Sequence, residues 1–184
     1  MTEERIAALE ARLQYLTDRQ EILDCVTRNA RGNDRFDAEL VSSSYHPDAF
    51  HELGHIRIPG PDYGTHANAA HAAISDVNLH NVTMQSVEID GDVAHAESYV
   101  IGLFADRGAE TSRILAGRYI DRLERRDGAW RIVLRRATVE VALEGRAILP
   151  IGKTPPGTGY LKGDRGRGDP SYQRPLTSEG GERW

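Results

Sequence analysis

The chain has 184 residues, a formal net charge of −5, 28% charged residues and 39% hydrophobic residues. This length allows one domain with a hydrophobic core and is short for two. The acidic balance argues against a surface for nucleic acid or anionic membrane, because either partner requires a concentrated basic patch. The basic run at 125–136, RRDGAWRIVLRR, alternates with apolar residues as one face of a strand does.

Cys25 is the only cysteine, so no disulfide can form within the chain. Its neighbours in a helical pattern, Leu23 and Val26, indicate a buried thiol rather than a reactive one. No apolar run approaches the roughly 18 residues of a membrane span, and the charged start MTEERIAALEARL does not resemble a signal peptide. We therefore expect a cytoplasmic protein that binds neither membrane nor nucleic acid.

Two helices are predicted in the first part of the chain. Apolar residues recur at steps of three and four at Ile6, Leu9, Leu13 and Leu16. A second helix is predicted over 18–31, because TDRQ from Thr17 has the form of a capping box. Gly32 and Asn33 would end it, since both residues tolerate a positive φ at a helix C-terminus.

Short elements are predicted next. A helix over 36–45 should end at HPD, because the residue before proline avoids the α region. The segment AFHELGHIRI at 49–58 is typical of two short strands, and PGPDYG at 59–64 of a loop. The alanine-rich THANAAHAAISD predicts a short helix that Thr65 opens.

Four long strands are predicted at 78–89, 92–105, 111–126 and 129–147. Asp-Gly pairs within 90–92 and 126–129 indicate tight hairpins between them. Helices followed by antiparallel strands predict an α+β domain, with the N-terminal helices packed in a curved, mostly antiparallel sheet.

We assign residues 1–148 to this domain and 149–184 to a C-terminal tail that is rich in glycine, proline and charge. Such a composition is typical of disorder. The aromatic residues spaced along the tail favour docking on a neighbouring subunit equally well.

His80 and Asp34 are the candidate catalytic residues. In a strand, His80 shares one face with Val82 and Met84, which directs it inward, and the parity of the later apolar residues indicates a bulge near Gln85. A lone inward histidine is more often a core residue, and Asp34 at a helix break could simply be a cap. In contact, the two would form a general base, because the carboxylate fixes the tautomer of the ring.

The remaining histidines predict no metal site. HELGH places His51 and His55 four residues apart with His46 nearby, but a strand would direct them poorly for a shared ion. His66 and His71 are interpreted as surface residues of the alanine-rich helix.

Three segments together carry a resemblance to a known family. They are 12–50, with its Asp after the helix and its HPDA; the region around His80; and 117–132, with its Asp-Gly-x-Trp hairpin. Their order over about residues 8–142 resembles the SnoaL-like branch of the nuclear-transport-factor-two superfamily, which includes hexachlorocyclohexane dehydrochlorinase, scytalone dehydratase and bile acid 7α-dehydratase. The resemblance implies a cone-shaped α+β barrel, a hydrophobic pocket, cofactor-free elimination and a trimer, with Asp34 and His80 as the catalytic dyad.

The sequence departs from these relatives at two positions. Asn29 stands where the dehydratases have a tyrosine, and Leu103 where the bile acid enzyme has an acid, so two leaving-group donors are missing. Arg122 resembles the pocket arginine of the dehydrochlorinase and could stabilise a departing anion, although a surface strand position is an equal alternative. Tyr119 and Tyr99 are further candidate proton donors.

The leading hypothesis is a cofactor-independent lyase that uses His80 and Asp34 on a small hydrophobic cyclic substrate. An isomerase or cyclase on the same scaffold is the alternative, as is a non-catalytic ligand-binding protein or partner subunit. The predicted substrate-binding residues are Arg122, Phe50, Met84, Leu103, Tyr119 and Asn29. We expect no cofactor and no metal, and a homo-oligomer with a trimer favoured.

Overall fold

The structure is a computed structural model that describes residues 2–108, 111–146, 159–178 and 181–183. The predicted domain boundary at 148 and the last residue of the predicted strand 129–147 lie outside these ranges. None of the helices in the described ranges is both long enough and apolar enough to cross a membrane.

The first helix, α1 (Glu3–Asp34), is continuous over 32 residues, so the predicted break near Thr17 is wrong. Thr17 and Gln20, the predicted capping box, lie inside α1, and the adjacent Asp18 contacts the sheet. Its carboxylate accepts hydrogen bonds from the indole N–H of Trp130 and from Arg125, both at 2.8 Å. These two partners lie more than 100 residues downstream, so Asp18 anchors α1 on the sheet instead of beginning a helix.

The end of α1 also differs from the prediction, because the helix continues through Gly32 and Asn33. A Cβ atom at Gly32 would lie 2.6 Å from Cγ2 of Val41. Gly32 is therefore required by the close approach of the next helix, α2 (Ala38–Ser42). Asp37 caps α2, since its Oδ1 accepts a hydrogen bond from the backbone N–H of Leu40 at 3.0 Å.

Two short strands, β1 (Tyr45–Leu53) and β2 (Ile56–Pro59), follow, joined by a turn with Gly54 at φ 59°. Two strands were predicted here, but β1 begins at Tyr45 and runs through HPD, so the predicted helix over 36–45 is too long. The predicted loop 59–64 is wrong, because α3 (Gly60–Ile74) begins there rather than at Thr65. Proline in the first turn does not hinder a helix, since the backbone N–H that it lacks would have no intrahelical partner.

The long strands are β3 (Ser75–Asp90), β4 (Val93–Asp106), β5 (Thr111–Arg126), β6 (Ala129–Ala137) and β7 (Val141–Arg146). The last predicted strand is thus divided into β6 and β7. Both Asp-Gly hairpins are confirmed, and Asp127 and Gly128 both have positive φ, as a type I′ turn requires.

The seven strands form one curved, unclosed sheet in the order β2-β1-β6-β5-β4-β3, with β7 paired to β5. All pairs are antiparallel except β1 with β6. The register of β3 shifts between Thr83 and Gln85, where the sequence predicted a bulge. The helices pack against this sheet, so the predicted α+β class is confirmed.

A buried ion pair lies between α1 and the sheet. Arg135 and Asp121, both with fully buried side chains, are joined by two hydrogen bonds of 2.7 Å. The same guanidinium donates to Oδ1 of Asn29 at 2.8 Å and lies 4.2 Å from the ring centre of Tyr119. Asn29 is thus held by Arg135 and does not line the cavity beside His80.

The described part of the tail contacts its own chain at the end of α1. The backbone N–H of Gly166 donates to the carbonyl of Arg35 at 2.6 Å, and the hydroxyl of Tyr172 donates to Asp37 at 3.2 Å. Arg35 also pairs with Asp169 at 3.4 Å. This contact was not among the alternatives that we derived from composition, and docking of the tail on a neighbouring subunit stays a prediction.

Candidate active site

Asp34 and His80, which are separated by 46 residues, are in direct contact. The last residue of α1 places the Asp34 Oδ1 atom 2.7 Å from Nδ1 of His80 on β3, and both side chains are largely buried. Because an ionised carboxylate only accepts hydrogen bonds, Nδ1 carries a proton, and in the neutral form of the ring Nε2 then has a free lone pair. The structure therefore presents an imidazole in the tautomer that a general base requires.

Two further hydrogen-bond donors hold the Asp34 carboxylate in place. The backbone N–H of His80 donates to Oδ2 at 2.9 Å, and Nδ2 of Asn78 donates to Oδ1 at 3.2 Å. Arg165, from the tail, donates in turn to Oδ1 of Asn78 at 2.7 Å. The carboxylate is thus fixed from β3 and, through Asn78, by the tail.

His80 borders a cavity of about 240 Å³ between α3 and the inner faces of β4 and β5. Its walls are mainly apolar and include Ile74, Val100, Phe104, Leu115, Tyr119 and Val139. A second depression, between the end of α1 and β3, also reaches His80 and is lined by Arg31 and Arg35. The first cavity has the mostly apolar lining with few polar groups that is typical of a site for a small molecule.

Aromatic contacts fix the His80 ring at this cavity. The ring of Phe104 meets it edge-on with a centre-to-centre distance of 5.8 Å, and the ring of His71 lies at 5.4 Å. Burial, reinforced by the neighbouring His80, lowers the pKa of His71 to about 4. His71 is therefore neutral near pH 7, and its predicted surface position is wrong.

His51 also lines this cavity and is almost fully buried. Its Nδ1 lies 2.8 Å from the hydroxyl of Tyr45, and its ring stacks on Tyr63 with centres 3.6 Å apart. Burial lowers the pKa of His51 well below its ordinary value. Burial also raises the pKa of Tyr119 well above its ordinary value, so this cavity-lining phenol stays protonated.

Five of the six predicted substrate-binding residues do not line the cavity, Asn29 at Arg135 among them, and their placement is corrected. Arg122 is half exposed and pairs with Glu124, because strand alternation puts it on the opposite face of β5 from Tyr119. Met84 is 72% exposed at the bulge, where its φ of 40° departs from regular strand geometry.

Leu103 lies on the outer face of β4, because its neighbours Gly102 and Phe104 occupy the inner face. Phe50 packs beneath the guanidinium of Arg57, 3.8 Å from the ring centre. Tyr119 alone among the predicted substrate-binding residues lines the cavity.

The sequence analysis missed His51 and His71 as cavity residues. The HELGH motif drew attention to His51 only as a metal ligand. In the described part of the chain no group of three or more histidine, cysteine or acidic side chains is arranged to hold a metal ion. His46 instead contacts the backbone carbonyl of Glu124 at 2.9 Å.

The fold and this site define an α+β protein with helices packed against an unclosed sheet and a histidine–carboxylate contact beside an apolar cavity. The chain belongs to the family of SnoaL-like domains, which matches residues 14–136. This family is part of the nuclear-transport-factor-two-like superfamily. Comparison with curated proteins finds no match.

Solved structures support the fold. A protein of unknown function from Mycobacterium tuberculosis is 26% identical, with 68% of this chain and 77% of that chain covered and a TM-score of 0.61. A type 2 hexachlorocyclohexane dehydrochlorinase (LinA) is 23% identical, with 79% and 98% covered and a TM-score of 0.68. A protein from Novosphingobium aromaticivorans, assigned as a scytalone dehydratase, is 18% identical, with 76% and 97% covered and a TM-score of 0.64.

Proposed function

We propose that the protein is a cofactor-independent lyase of the dehydratase or dehydrohalogenase type that acts on a small hydrophobic cyclic substrate. The observation that carries this proposal is the 2.7 Å contact between Nδ1 of His80 and Asp34 at an apolar cavity. Similarity to a dehydrochlorinase and to an assigned dehydratase adds support at the level of the scaffold.

In the proposed reaction, Nε2 of His80 removes a proton from a substrate carbon. The electrons of the broken C–H bond form a C=C bond, and the leaving group departs from the adjacent carbon with its own bonding pair. A halide leaves as an anion, whereas a hydroxyl takes up a proton and leaves as water. Asp34 stabilises the imidazolium that forms, and such proton transfer contributes about 10²–10⁴-fold in rate.

Tyr119 is the candidate donor to a leaving oxygen, because its phenol is neutral and lines the cavity. Arg122 is not used in this scheme, since its guanidinium is on the outer face of β5.

The test is turnover by His80→Ala and Asp34→Asn, with His55→Ala as the control because His55 is exposed in the turn between β1 and β2. Chlorinated cyclohexanes and hydroxylated cyclic ketones serve as probes, and mass spectrometry detects loss of HCl or water. We expect both site variants to lose turnover while circular dichroism stays unchanged. Full activity in either variant would refute the dyad.

An isomerase or cyclase on the same scaffold is the second candidate. The observation that favours it is the scarcity of leaving-group donors: Asn29 is held by Arg135, and Leu103 is apolar and faces outward. A product of unchanged mass would select this candidate. A hydrophobic ligand bound without turnover would select a binding protein or partner subunit.

We also propose a cytoplasmic homo-oligomer, with a trimer favoured by the resemblance to the dehydratases. The free, buried Cys25 fits a reducing compartment. Light scattering coupled to size exclusion measures the number of subunits.

A further inference from the structure

The first half of α1 carries an exposed apolar stripe. Every residue from 2 to 17 is exposed, and the first buried residue of the helix is Asp18. We call residues 3–17 the arm, a helical segment about 20 Å long at a rise of 1.5 Å per residue. The stripe consists of four apolar side chains of the arm that are between 41% and 64% exposed: Ile6, Leu9, Leu13 and Leu16.

The stripe lies on the opposite side of α1 from the residues that pack against the sheet. Ile22, which is fully buried, follows Leu13 by nine residues. Cys25, also fully buried, follows Leu16 by the same nine residues. Nine residues correspond to about two and a half turns of an α-helix, so the two members of each pair point in opposite directions. The stripe therefore faces away from the core of its own domain.

The spacing within the stripe is that of a coiled coil. Its steps of three, four and three residues place Ile6 and Leu13 at positions a, and Leu9 and Leu16 at positions d, of two heptads. Two heptads are marginal in an isolated peptide, because the first turn of a helix is costly to form. Here the buried second half of α1 supplies that nucleus, so the arm is helical before it meets a partner.

Charged residues beside the stripe identify the partner and its orientation. Arg5 occupies a position g and Glu10 a position e. In a parallel pair of identical helices, position g of one helix faces the position e that lies five residues later in the other, so Arg5 of each copy meets Glu10 of the other. In an antiparallel pair, g faces g and e faces e, which brings like charges together. The arm is thus complementary to a parallel copy of itself.

A membrane surface fits the arm less well than a second copy does. Helices that lie on a membrane are rich in lysine and arginine on their polar face, whereas the arm has three glutamates and two arginines. Most of the arm also precedes residues 14–136, which match the SnoaL-like family. The stripe is therefore a feature added to the family's domain.

We propose that the arm docks on the arm of a second copy of this chain as a parallel, two-stranded coiled coil. Ile6 at a position a and leucines at both positions d favour two strands. Since the stripe and the domain lie on opposite sides of α1, the two domains sit on the outer sides of the pair. This contact joins two copies whatever contacts the domains make with one another, and it does not rest on the proposed reaction.

The first test measures the mass of the full chain by sedimentation equilibrium over a range of concentrations. Leu9→Gln combined with Leu13→Gln removes apolar contacts and keeps residues that favour a helix. We expect the mass at high concentration to fall by half, with circular dichroism of the domain unchanged. Ala8→Gln with Ala11→Gln is the matched control, because both alanines are exposed on the arm outside the stripe, and it should keep the wild-type mass.

Equal masses of the wild type and the leucine variant at every concentration would overturn the proposal. A fall to one third would overturn the two-stranded arrangement.

The second test determines the orientation of the pair. Arg5→Glu places a glutamate against Glu10 of the other copy, and both symmetry-related contacts become repulsive. We expect the dissociation constant of the pair to rise by about two- to tenfold. Adding Glu10→Arg restores opposite charges and should return the constant to the wild-type value. Association of Arg5→Glu that is as tight as that of the wild type, or tighter, would overturn the parallel orientation.

A cysteine variant gives a readout that does not depend on affinity alone. In a parallel pair the two side chains at position 6 meet, so oxidation of folded Ile6→Cys should link two chains. Cys25, the only native cysteine, is buried and is not available for this reaction. Ala11→Cys, on the other side of the arm, is the control and should link far more slowly. Equal rates in the two variants would overturn the docking of the stripe.

Discussion

Asp34 accepts two hydrogen bonds from His80, one from the ring Nδ1–H at 2.7 Å and one from the backbone N–H at 2.9 Å. The pair is therefore bound through both the side chain and the main chain. This arrangement holds the imidazole in one tautomer and one orientation relative to β3.

Asp34→Asn should release this tautomer. An asparagine has one acceptor oxygen where the aspartate has two, so its NH₂ group faces a donor of His80 in either orientation. We expect ¹⁵N shifts of His80 to change from a single tautomer to a mixture, and turnover to fall by about 10²-fold or more. Asp24→Asn is the control, since Asp24 is an exposed residue on the same helix that bonds to Gln20. An unchanged tautomer in Asp34→Asn would contradict the prediction.

How far the sequence predicts this site is clear from Asp34 and Asp37. Both aspartates could cap a helix, and only the structure shows that Asp37 is the cap while Asp34 turns to His80. The resemblance to known dehydratases suggested the contact, whereas local pattern did not. The sequence likewise did not show that α1 continues through Asp18. The residues that donate hydrogen bonds to the Asp18 carboxylate, such as Trp130, are distant in sequence.

The direction in which strand residues face was the least predictable part. Side chains alternate between the two faces of a strand. Arg122 lies three residues from Tyr119, so it lies on the opposite face of β5. The bulge near Gln85 was predicted, but its exact position was not. For this reason the sequence did not show which face of β3 the side chain of Met84 occupies. The face of α3 that carries His71 depends on how that helix packs on the sheet, which periodicity alone does not give.

Acid should destabilise the protein through His71. The ordinary pKa of a histidine is about 6.5, and that of His71 is lowered to about 4. Between these values the unfolded chain binds more protons than the folded one, so stability is complete above pH 6.5 and falls as the pH drops towards 4. The loss is at most about 3 kcal/mol, and solvent screening of the partly exposed ring reduces it.

His71→Phe should therefore flatten the decrease in unfolding free energy between pH 7 and pH 4.5, as measured by urea denaturation. Burial also lowers the pKa of His51, which acts in the same direction. A residual dependence of the unfolding free energy on pH therefore remains in His71→Phe. His55→Phe, at an exposed turn, should retain the wild-type slope. An equal slope in His71→Phe and wild type would show that the ring is not buried as the structure has it.

Removing the buried cation at Arg135 should be costly. Arg135→Met leaves the carboxylate of Asp121 buried without its partner, and breaking such a pair costs about 3–5 kcal/mol. Arg136→Met is the matched control, because this adjacent arginine is 63% exposed and its pair with Glu52 is worth less than about 1 kcal/mol. Urea denaturation measures both. A double variant, Arg135→Met with Asp121→Leu, should recover much of the loss.

Gly117 should not tolerate a side chain. A methyl group there would overlap with the carbonyl oxygen of Thr138, and both residues line the cavity. We expect Gly117→Ala to lower the unfolding free energy by about 1–3 kcal/mol, since the backbone after β6 must move. Gly145→Ala is the control, because a Cβ atom at that position of β7 meets no atom within 4 Å. A smaller loss in Gly117→Ala than in Gly145→Ala would contradict the close approach.

Arg165 should couple the tail to the Asp34–His80 pair. Its guanidinium donates to Asn78 at 2.7 Å and to the carbonyl of Ser75 at 3.0 Å, and it lies over the ring of Phe36. Arg165→Ala removes the group that orients the Asn78 amide, which in turn donates to Asp34. We expect faster proteolysis within 159–178 and, on the proposed function, a turnover lower by about three- to tenfold.

Arg174→Ala separates this effect from general loosening of the tail, because Arg174 donates only to the tail carbonyls of Ser171 and Gln173 among the described residues. Arg165→Lys keeps the charge but not the planar fork that reaches both Asn78 and Ser75, so it should restore turnover only in part. If Arg165→Ala matched Arg174→Ala in both proteolysis and turnover, the tail would be packing beside the site without orienting it. If Arg165→Ala changed proteolysis but not turnover, Arg165 would only hold the tail on the domain. Asn78 would then orient the Asp34 carboxylate without the contact from Arg165.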